Sequence, residues 1–204
     1  MCTCKKIFVT NRRLSDLSLD EQVERVFEKS RPNTLILREK DLPESEYRDL
    51  SLQIKEICDS FDVEFIVNKF WQVAFDMSVP VQLSFQDYMN LKRPEYGHKT
   101  ESLRDEELCV CSNIKFPYTW VSIHSVEEAL AASSAGADCL IAGHIFTTAC
   151  KPGIAPRGIQ FLTDVISEVE VPVYAIGGIK SGNLQLVIAA GADGACQMSY
   201  YMKM

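Results

Sequence analysis

The sequence predicts an α/β fold, a (β/α)₈ or TIM barrel, and three observations lead to this prediction. Short apolar runs alternate with segments of helical spacing along the whole chain, as expected for βα units around a parallel sheet. There are eight such runs, the strand number of this barrel. Residues 134–143 and 189–198 also resemble each other, each reading as a helix end, a glycine and a strand. We expect Gly136 and Gly191 to end their helices in the left-handed conformation.

The eight predicted strands are short and β-rich, and turn residues separate them from the helical segments. They span residues 5–10, 34–38, 63–67, 79–83, 118–123, 138–142, 171–176 and 193–198. Apolar residues recur at helical spacing within 47–61 and within 159–169, so each of these segments predicts a helix with one buried face. Ser18 and Glu21 have the spacing of a capping box, which predicts a helix start.

Two features depart from a regular barrel. Residues 93–116 are polar and charged and form an insertion too long for a simple loop between strands four and five. The chain also continues for only six residues after the eighth predicted strand, so the usual last helix is expected to be absent. We therefore predict a single domain over residues 1–204, with something else, such as a second subunit of a homo-oligomer, covering that side.

The amino-acid composition indicates where in the cell the protein resides and which classes of molecule it can bind. No apolar run approaches the ~20 residues of a membrane span, and the first ten residues contain no signal peptide. Most of the eight cysteines lie in apolar stretches, as reduced core thiols do, so the sequence favours a cytoplasmic protein with no membrane partner. A net charge of −7 disfavours nucleic acid. In so acidic a chain, Arg38, Lys40 and Lys151 beside strand ends indicate either a local anion site or ordinary surface charges.

The ends of strands seven and eight predict a phosphate site. In these barrels the loops after strands seven and eight often bind phosphate. Gly177 and Gly178 follow strand seven, and their bare backbones allow close approach of N–H groups to an anion just before a helix. Met198 and Ser199 follow strand eight and add an N–H and a hydroxyl. Paired glycines also make tight turns, but the matching strand-eight end favours phosphate binding.

The segment after strand six, residues 143–153, is the richest in reactive groups. His144 stands at the strand end, where an imidazole that titrates near neutrality can exchange a proton with a ligand. A structural histidine remains an equal alternative from the residues alone. Cys150 is a candidate nucleophile, but no sequence feature stabilises its thiolate.

Four ordered motifs resemble the superfamily of thiamine phosphate synthase and TenI. They are LILREK, VSIHSVEEALAASSAGADCLIAGHIFTTACKPG, VPVYAIGGI and AAGADGACQMS. The resemblance covers most of the chain. It implies that a pyrimidine diphosphate is bound, in the synthases, at the positions of Arg38, Lys40, Asn68, Ser122 and Lys151. It implies that a thiazole phosphate is bound at Thr148, Gly178, Met198 and Ser199.

Departures from the synthase pattern favour the TenI branch. The synthases use two aspartates to hold Mg²⁺; Asp87 matches one, but Lys69 occupies the other position. His144 stands where synthases carry proline, and Gln82 stands where they commonly carry histidine. In TenI, the histidine after strand six is the acid/base residue.

The resemblance therefore implies a thiazole tautomerase, an isomerase of thiamine biosynthesis that aromatises a dihydrothiazole carboxylate phosphate by proton transfer through His144. Its partner is a small phosphorylated thiazole, and it needs no cofactor. The alternatives are a thiamine phosphate synthase, a transferase that requires Mg²⁺ with Asp87 as a ligand, and a non-catalytic phosphate-binding or regulatory homologue.

Overall fold

The computed structural model describes residues 4–92, 115–149 and 152–204, and its centre is a closed barrel of eight parallel strands in sequence order. The strands are β1 (Lys5–Val9), β2 (Thr34–Leu37), β3 (Glu64–Asn68), β4 (Val81–Ser84), β5 (Thr119–Ile123), β6 (Cys139–Gly143), β7 (Val173–Ile176) and β8 (Gly194–Gln197). Each overlaps a predicted strand, with ends that differ by no more than two residues. The barrel closes through pairing of β1 with β8, so the predicted fold class is confirmed.

A helix follows each strand, and a 3₁₀ turn (Arg12–Leu14) precedes the first. The helices are α1 (Leu19–Ser30), α2 (Glu44–Ser60), α3 (Trp71–Asp76), α4 (Phe85–Lys92), α5 (Val126–Ser134), α6 (Gly158–Glu168), α7 (Leu184–Ala189) and α8 (Ser199–Met202). The capping box forms as expected, because Glu21 accepts the Ser18 backbone N–H at 3.1 Å and the Ser18 side chain caps the third residue of the helix. Gly136 and Gly191 have φ of +85° and +91°, as predicted. Among the described residues, no helix has the length and apolarity needed to cross a membrane.

Apolar side chains fill two layers. The larger layer lies between the strands and the surrounding helices. The smaller one lies inside the barrel and contains eight buried side chains: Ile7, Val9, Ile36, Ile66, Trp120, Ile141, Tyr174 and Cys196. The Trp120 and Tyr174 rings stack there with centroids 4.3 Å apart. Because this inner layer fills the middle of the barrel, the carboxyl ends of the strands above it are where an active-site cavity is expected in this fold.

Within the given sequence, β8 is followed by the four-residue helix α8, where no helix was expected. This helix covers part of the barrel, which the sequence did not predict. Tyr201 packs against Phe8 with ring centroids 5.1 Å apart, and Gln22 of α1 donates to the Tyr201 carbonyl at 2.7 Å. Of the polar insertion, residues 93–114 lie outside the described residues.

Candidate functional site

A cavity of about 460 Å³ opens at the carboxyl ends of the strands, and residues on or after all eight strands line it. Ten residues that the sequence nominated lie on its wall: Arg38, Lys40, Asn68, Ser122, His144, Thr148, Gly177, Gly178, Met198 and Ser199. Asp87, the expected ligand of a synthase-type metal, also lies there. Lys151 and Cys150 fall outside the described residues. The barrel therefore brings together residues from distant parts of the sequence.

His144 is held in an unusual backbone conformation at the end of β6. Its φ is +63°, a value that is uncommon for residues with a Cβ but several-fold enriched for histidine. The carbonyl of His144 accepts the Arg157 N–H at 2.8 Å, and the next N–H, from Ile145, is donated to the Ile176 carbonyl at 3.1 Å. These contacts hold the main chain at His144, and the residue lines the cavity while being only 2% exposed.

Glycines allow the loop after β7 to lie against the loop after β6. Gly177 and Gly178 have φ of +110° and +65°. A Cβ on Gly177 would lie 2.7 Å from the His144 Cα, and one on Gly178 would overlap the Thr147 carbonyl oxygen. The two glycines are therefore required for close packing as well as for a turn.

The helix after this glycine pair begins later than the sequence suggested. We expected a helix N-terminus directly after Gly178, but α7 begins at Leu184. In between, the Asn183 side chain donates to the Gly178 carbonyl at 3.0 Å and accepts the Lys180 N–H at 2.8 Å. An anion in this part of the cavity would therefore meet loop N–H groups rather than the first turn of α7.

On the opposite side of the barrel, a buried carboxylate organises the loop after β2. Glu39 is 2% exposed and accepts the Thr10 hydroxyl at 2.7 Å and the Arg12 backbone N–H at 3.0 Å. The Arg12 guanidinium lies 3.2 Å from the same carboxylate. Because Glu39 is held by these groups, its neighbours Arg38 and Lys40 are placed on the cavity wall.

Tyr47 of α2 connects the ends of β2 and β3. Its hydroxyl donates to the Leu37 carbonyl at 2.6 Å and accepts the Asn68 N–H at 3.0 Å. Burial raises the pKa of Tyr47 above its ordinary value, so the hydroxyl stays protonated and keeps donating. The backbone positions of two strand ends, and of the cavity residue Asn68, thus depend on one phenol.

Sequence reasoning missed several polar residues of the cavity. Lys69 and Gln82 were noted only as departures from a motif, while Ser84, His124 and Gln197 were not considered. Four of these five lie at or just after the carboxyl end of a strand, whereas Gln82 is the second residue of β4. Their position in the sequence could have identified these four as cavity residues, because the carboxyl ends of parallel strands meet at one face of a barrel.

Comparison with known proteins agrees with this geometry. The family model described as Thiamine monophosphate synthase matches residues 6–92 and 120–200, which is most of the chain and includes part or all of every strand. The chain belongs to the thiamine monophosphate synthase family. The resemblance predicted from the four motifs is therefore confirmed at the level of the family.

Individual members of the thiamine monophosphate synthase family resemble the chain over most of its length. It is 31% identical over 167 residues to the thiamine-phosphate synthase of Pyrococcus abyssi, covering 81% of this chain and 72% of that protein. It is 27% identical over 197 residues to the thiamine-phosphate synthase of Clostridium acetobutylicum, covering 96% and 85%. A solved structure of thiamine phosphate pyrophosphorylase from Pyrococcus furiosus has a TM-score of 0.76 and 26% identity, covering 100% and 89%.

The side chains of this cavity do not fit Mg²⁺, which needs oxygen ligands and favours carboxylates. Asp87 is the one carboxylate among the described residues that line the cavity. It accepts the Ser84 hydroxyl at 2.6 Å. Lys69, at the position where the resemblance implies the second aspartate, also lines the cavity and brings an ammonium group. No cluster of three or more His, Cys, Asp or Glu residues suited to a metal occurs within the described ranges.

Proposed function

We propose that this family member is a thiazole tautomerase, which converts a dihydrothiazole carboxylate phosphate into its aromatic thiazole isomer. The observation that carries the proposal is the position of His144, an almost fully buried histidine that lines the cavity. Cys196 is the one thiol among the described residues that line the cavity, and burial raises its pKa above the ordinary value, which keeps it a neutral thiol.

The reaction relocates one proton. The C–H of the ring carbon beside the carboxylate, the sulfur and the imine loses a proton to a base. The electron pair moves through the ring, which becomes aromatic, and the exocyclic carbon receives a proton from an acid. Neutral imidazole at His144 accepts the first proton, and the resulting imidazolium delivers a proton to the second carbon. Substrate and product are isomers, so the reaction needs no oxidant, reductant or metal.

The cavity has two regions suited to the two anionic groups of this substrate. Gly177, Gly178 and Ser199 lie at the ends of β7 and β8 and are proposed to bind the phosphate through backbone N–H groups and a hydroxyl. Arg38 and Lys40 lie across the barrel at the end of β2 and are suited to the carboxylate. Binding at both ends would hold the ring beside His144 and reduce the entropy cost of proton transfer.

A thiamine phosphate synthase is the second candidate, and the names of the compared relatives favour it. Arg38 and Lys40 would suit a diphosphate as well as a carboxylate. Against it stands the poor fit of the cavity to Mg²⁺, since Lys69 is an ammonium and Asp87 is a lone carboxylate. We therefore place the synthase reaction second.

The test is a pair of assays on the purified chain. The first follows aromatisation of the dihydrothiazole carboxylate phosphate by ultraviolet absorbance, with an enzyme-free control for the spontaneous reaction. The second supplies thiazole phosphate, pyrimidine diphosphate and Mg²⁺. We expect tautomerisation at the same rate with and without a chelator, and no condensation. Mg²⁺-dependent condensation would establish the synthase instead, and inactivity in both assays would favour a non-catalytic phosphate-binding protein.

A further inference from the structure

Three polar side chains form a continuous chain along one wall of the cavity. Asn68 ends β3, Gln82 lies beside it on β4, and Ser122 lies on β5. The Gln82 side-chain amide donates to the Ser122 hydroxyl oxygen at 2.8 Å, and the Gln82 side-chain oxygen accepts from the Asn68 side-chain amide. All three residues line the cavity.

A backbone carbonyl determines the direction of this chain. Gln82 Nε2 also donates to the Leu83 carbonyl oxygen at 2.8 Å. A carbonyl oxygen can only accept, so the NH₂ group of Gln82 must face Leu83 and Ser122, and its oxygen must face Asn68. Asn68 must then present its own NH₂ group to Gln82. The orientation of both amides thus follows from one main-chain atom.

This direction leaves complementary groups at the two ends. Ser122 accepts from Gln82, so its own hydroxyl proton has to be donated elsewhere. At the other end, Asn68 Oδ1 is buried and has no hydrogen-bond partner among the described residues. Asn68 as a whole is only 6% exposed. Since burial of an unsatisfied acceptor is unfavourable, this oxygen is suited to accept from a bound ligand or from water held with it.

We propose that Gln82 is a positioning residue that fixes the polarity of this wall. It directs the Ser122 hydroxyl proton into the cavity, toward an acceptor atom of the ligand, and leaves Asn68 Oδ1 as an acceptor for an N–H or O–H group. Identification of the acceptor as the thiazole nitrogen or carboxylate rests on the proposed function. The polarity itself rests only on the contacts of Gln82.

A double-mutant cycle tests whether Ser122 acts through Gln82. The measured quantity is the dissociation constant of the aromatic thiazole carboxylate phosphate, which does not react. We expect Ser122→Ala to raise it about tenfold, the value of one lost hydrogen bond. Gln82→Glu, whose carboxylate accepts but does not donate, turns the Ser122 proton away from the ligand and should have a similar effect. The double variant should then be no more than about twofold weaker than either single variant.

Gln86→Glu is the matched control. The Gln86 side chain is exposed on α4 and donates to Asn90 at 2.9 Å, outside the cavity lining. This variant introduces the same charge change and should leave the dissociation constant unchanged. If the dissociation constant of the double variant instead rises about a hundredfold, the product of two tenfold effects, then Ser122 and Gln82 act independently and the proposal is overturned.

An NMR measurement on the protein without ligand tests the role of Gln82 independently of the proposed function. It needs no substitution at Gln82, so it does not depend on such a variant folding. In ¹⁵N NMR spectra, both side-chain amide protons of Gln82 should exchange with solvent far more slowly than those of Gln86. Ser122→Ala should shift one Gln82 amide proton strongly and the other weakly. Rapid exchange, or no shift, would overturn the fixed polarity. Absence of thiazole binding by the wild-type protein would instead contradict the proposed function, with the NMR result still deciding the role of Gln82.

Discussion

Gly177 lies directly against the main chain of His144, with room for no side chain between them: a Cβ at position 177 would lie 2.7 Å from the His144 Cα. Gly177→Ala should therefore displace His144 from the cavity wall and also force alanine into φ +110°. We expect kcat for tautomerisation to fall by at least about tenfold, because a small misplacement of a catalytic group is costly. Steady-state kinetics would measure it.

Gly182→Ala is the matched control for this prediction. A Cβ at Gly182 has no neighbouring atom within 4 Å, so the variant should keep wild-type kcat. Equal activity of both variants would show that the contact between the loops after β6 and β7 does not position His144.

Gly178 should determine access of a phosphate to the cavity. A Cβ there would overlap the Thr147 carbonyl oxygen, so Gly178→Ala must move the loop. We expect the dissociation constant for inorganic phosphate, measured by titration calorimetry, to rise at least about tenfold, which corresponds to loss of one charge-assisted hydrogen bond.

Gly136→Ala serves as the control for backbone strain in that experiment. Gly136 has φ +85° but no neighbour within 4 Å of an added Cβ. Gly136→Ala should lower the free energy of unfolding by about 1–2 kcal/mol through the left-handed conformation alone, and Gly178→Ala should lower it further because its loop must also move. Only Gly178→Ala should weaken phosphate binding. If Gly178→Ala binds phosphate with wild-type affinity, the phosphate site is not at the loop after β7.

Tyr47→Phe should destabilise the fold and the site together. It removes a hydroxyl and leaves the buried Asn68 N–H and Leu37 carbonyl without that partner, so urea denaturation should show a loss of about 1–3 kcal/mol. Substrate KM should also rise, since Asn68 lines the cavity. Tyr88→Phe, outside the cavity lining, removes a hydrogen bond to the Ala135 carbonyl at 3.0 Å. It should leave KM unchanged, and an equal rise in KM would contradict the role of Tyr47.

The fold was predictable because local patterns determine it. The eight strands follow from apolar runs of four to six residues, and helix ends such as Gly136 follow from the conformational freedom of glycine. The start of α7 was misplaced, because Asn183 closes a turn after Gly178 that no hydrophobic pattern reports.

For the candidate site, the sequence allowed prediction of which residues line the cavity but not of how they contact one another. Residues after strand ends converge in any such barrel, which explains why ten nominated residues share one cavity. Relationships across strands were not predictable. The direction of the Gln82 amide depends on the Leu83 carbonyl, and the placement of Arg38 depends on contacts of Glu39 with Thr10. These contacts join residues whose spacing in the sequence carries no pattern.

His144 decides between proton transfer and a merely structural histidine. His144→Asn is the sharper variant, because asparagine tolerates the left-handed φ of +63° and retains a polar side chain without the capacity to exchange a proton. After subtraction of the enzyme-free rate, we expect kcat to fall about 10²- to 10⁴-fold with KM nearly unchanged.

The pH profile and a second histidine complete the test of His144. In the wild-type protein kcat/KM should decline as the pH is lowered, because a protonated imidazole can no longer accept the ring proton. The residual activity of His144→Asn should lack that decline. His124, which also lines the cavity but is exposed, is the alternative proton carrier. The proposal for His144 is wrong if His124→Asn shows the fall in kcat of about 10²- to 10⁴-fold and His144→Asn keeps wild-type kcat. The acid/base residue would then be His124, after β5, and His144 would be a structural residue between the loops after β6 and β7.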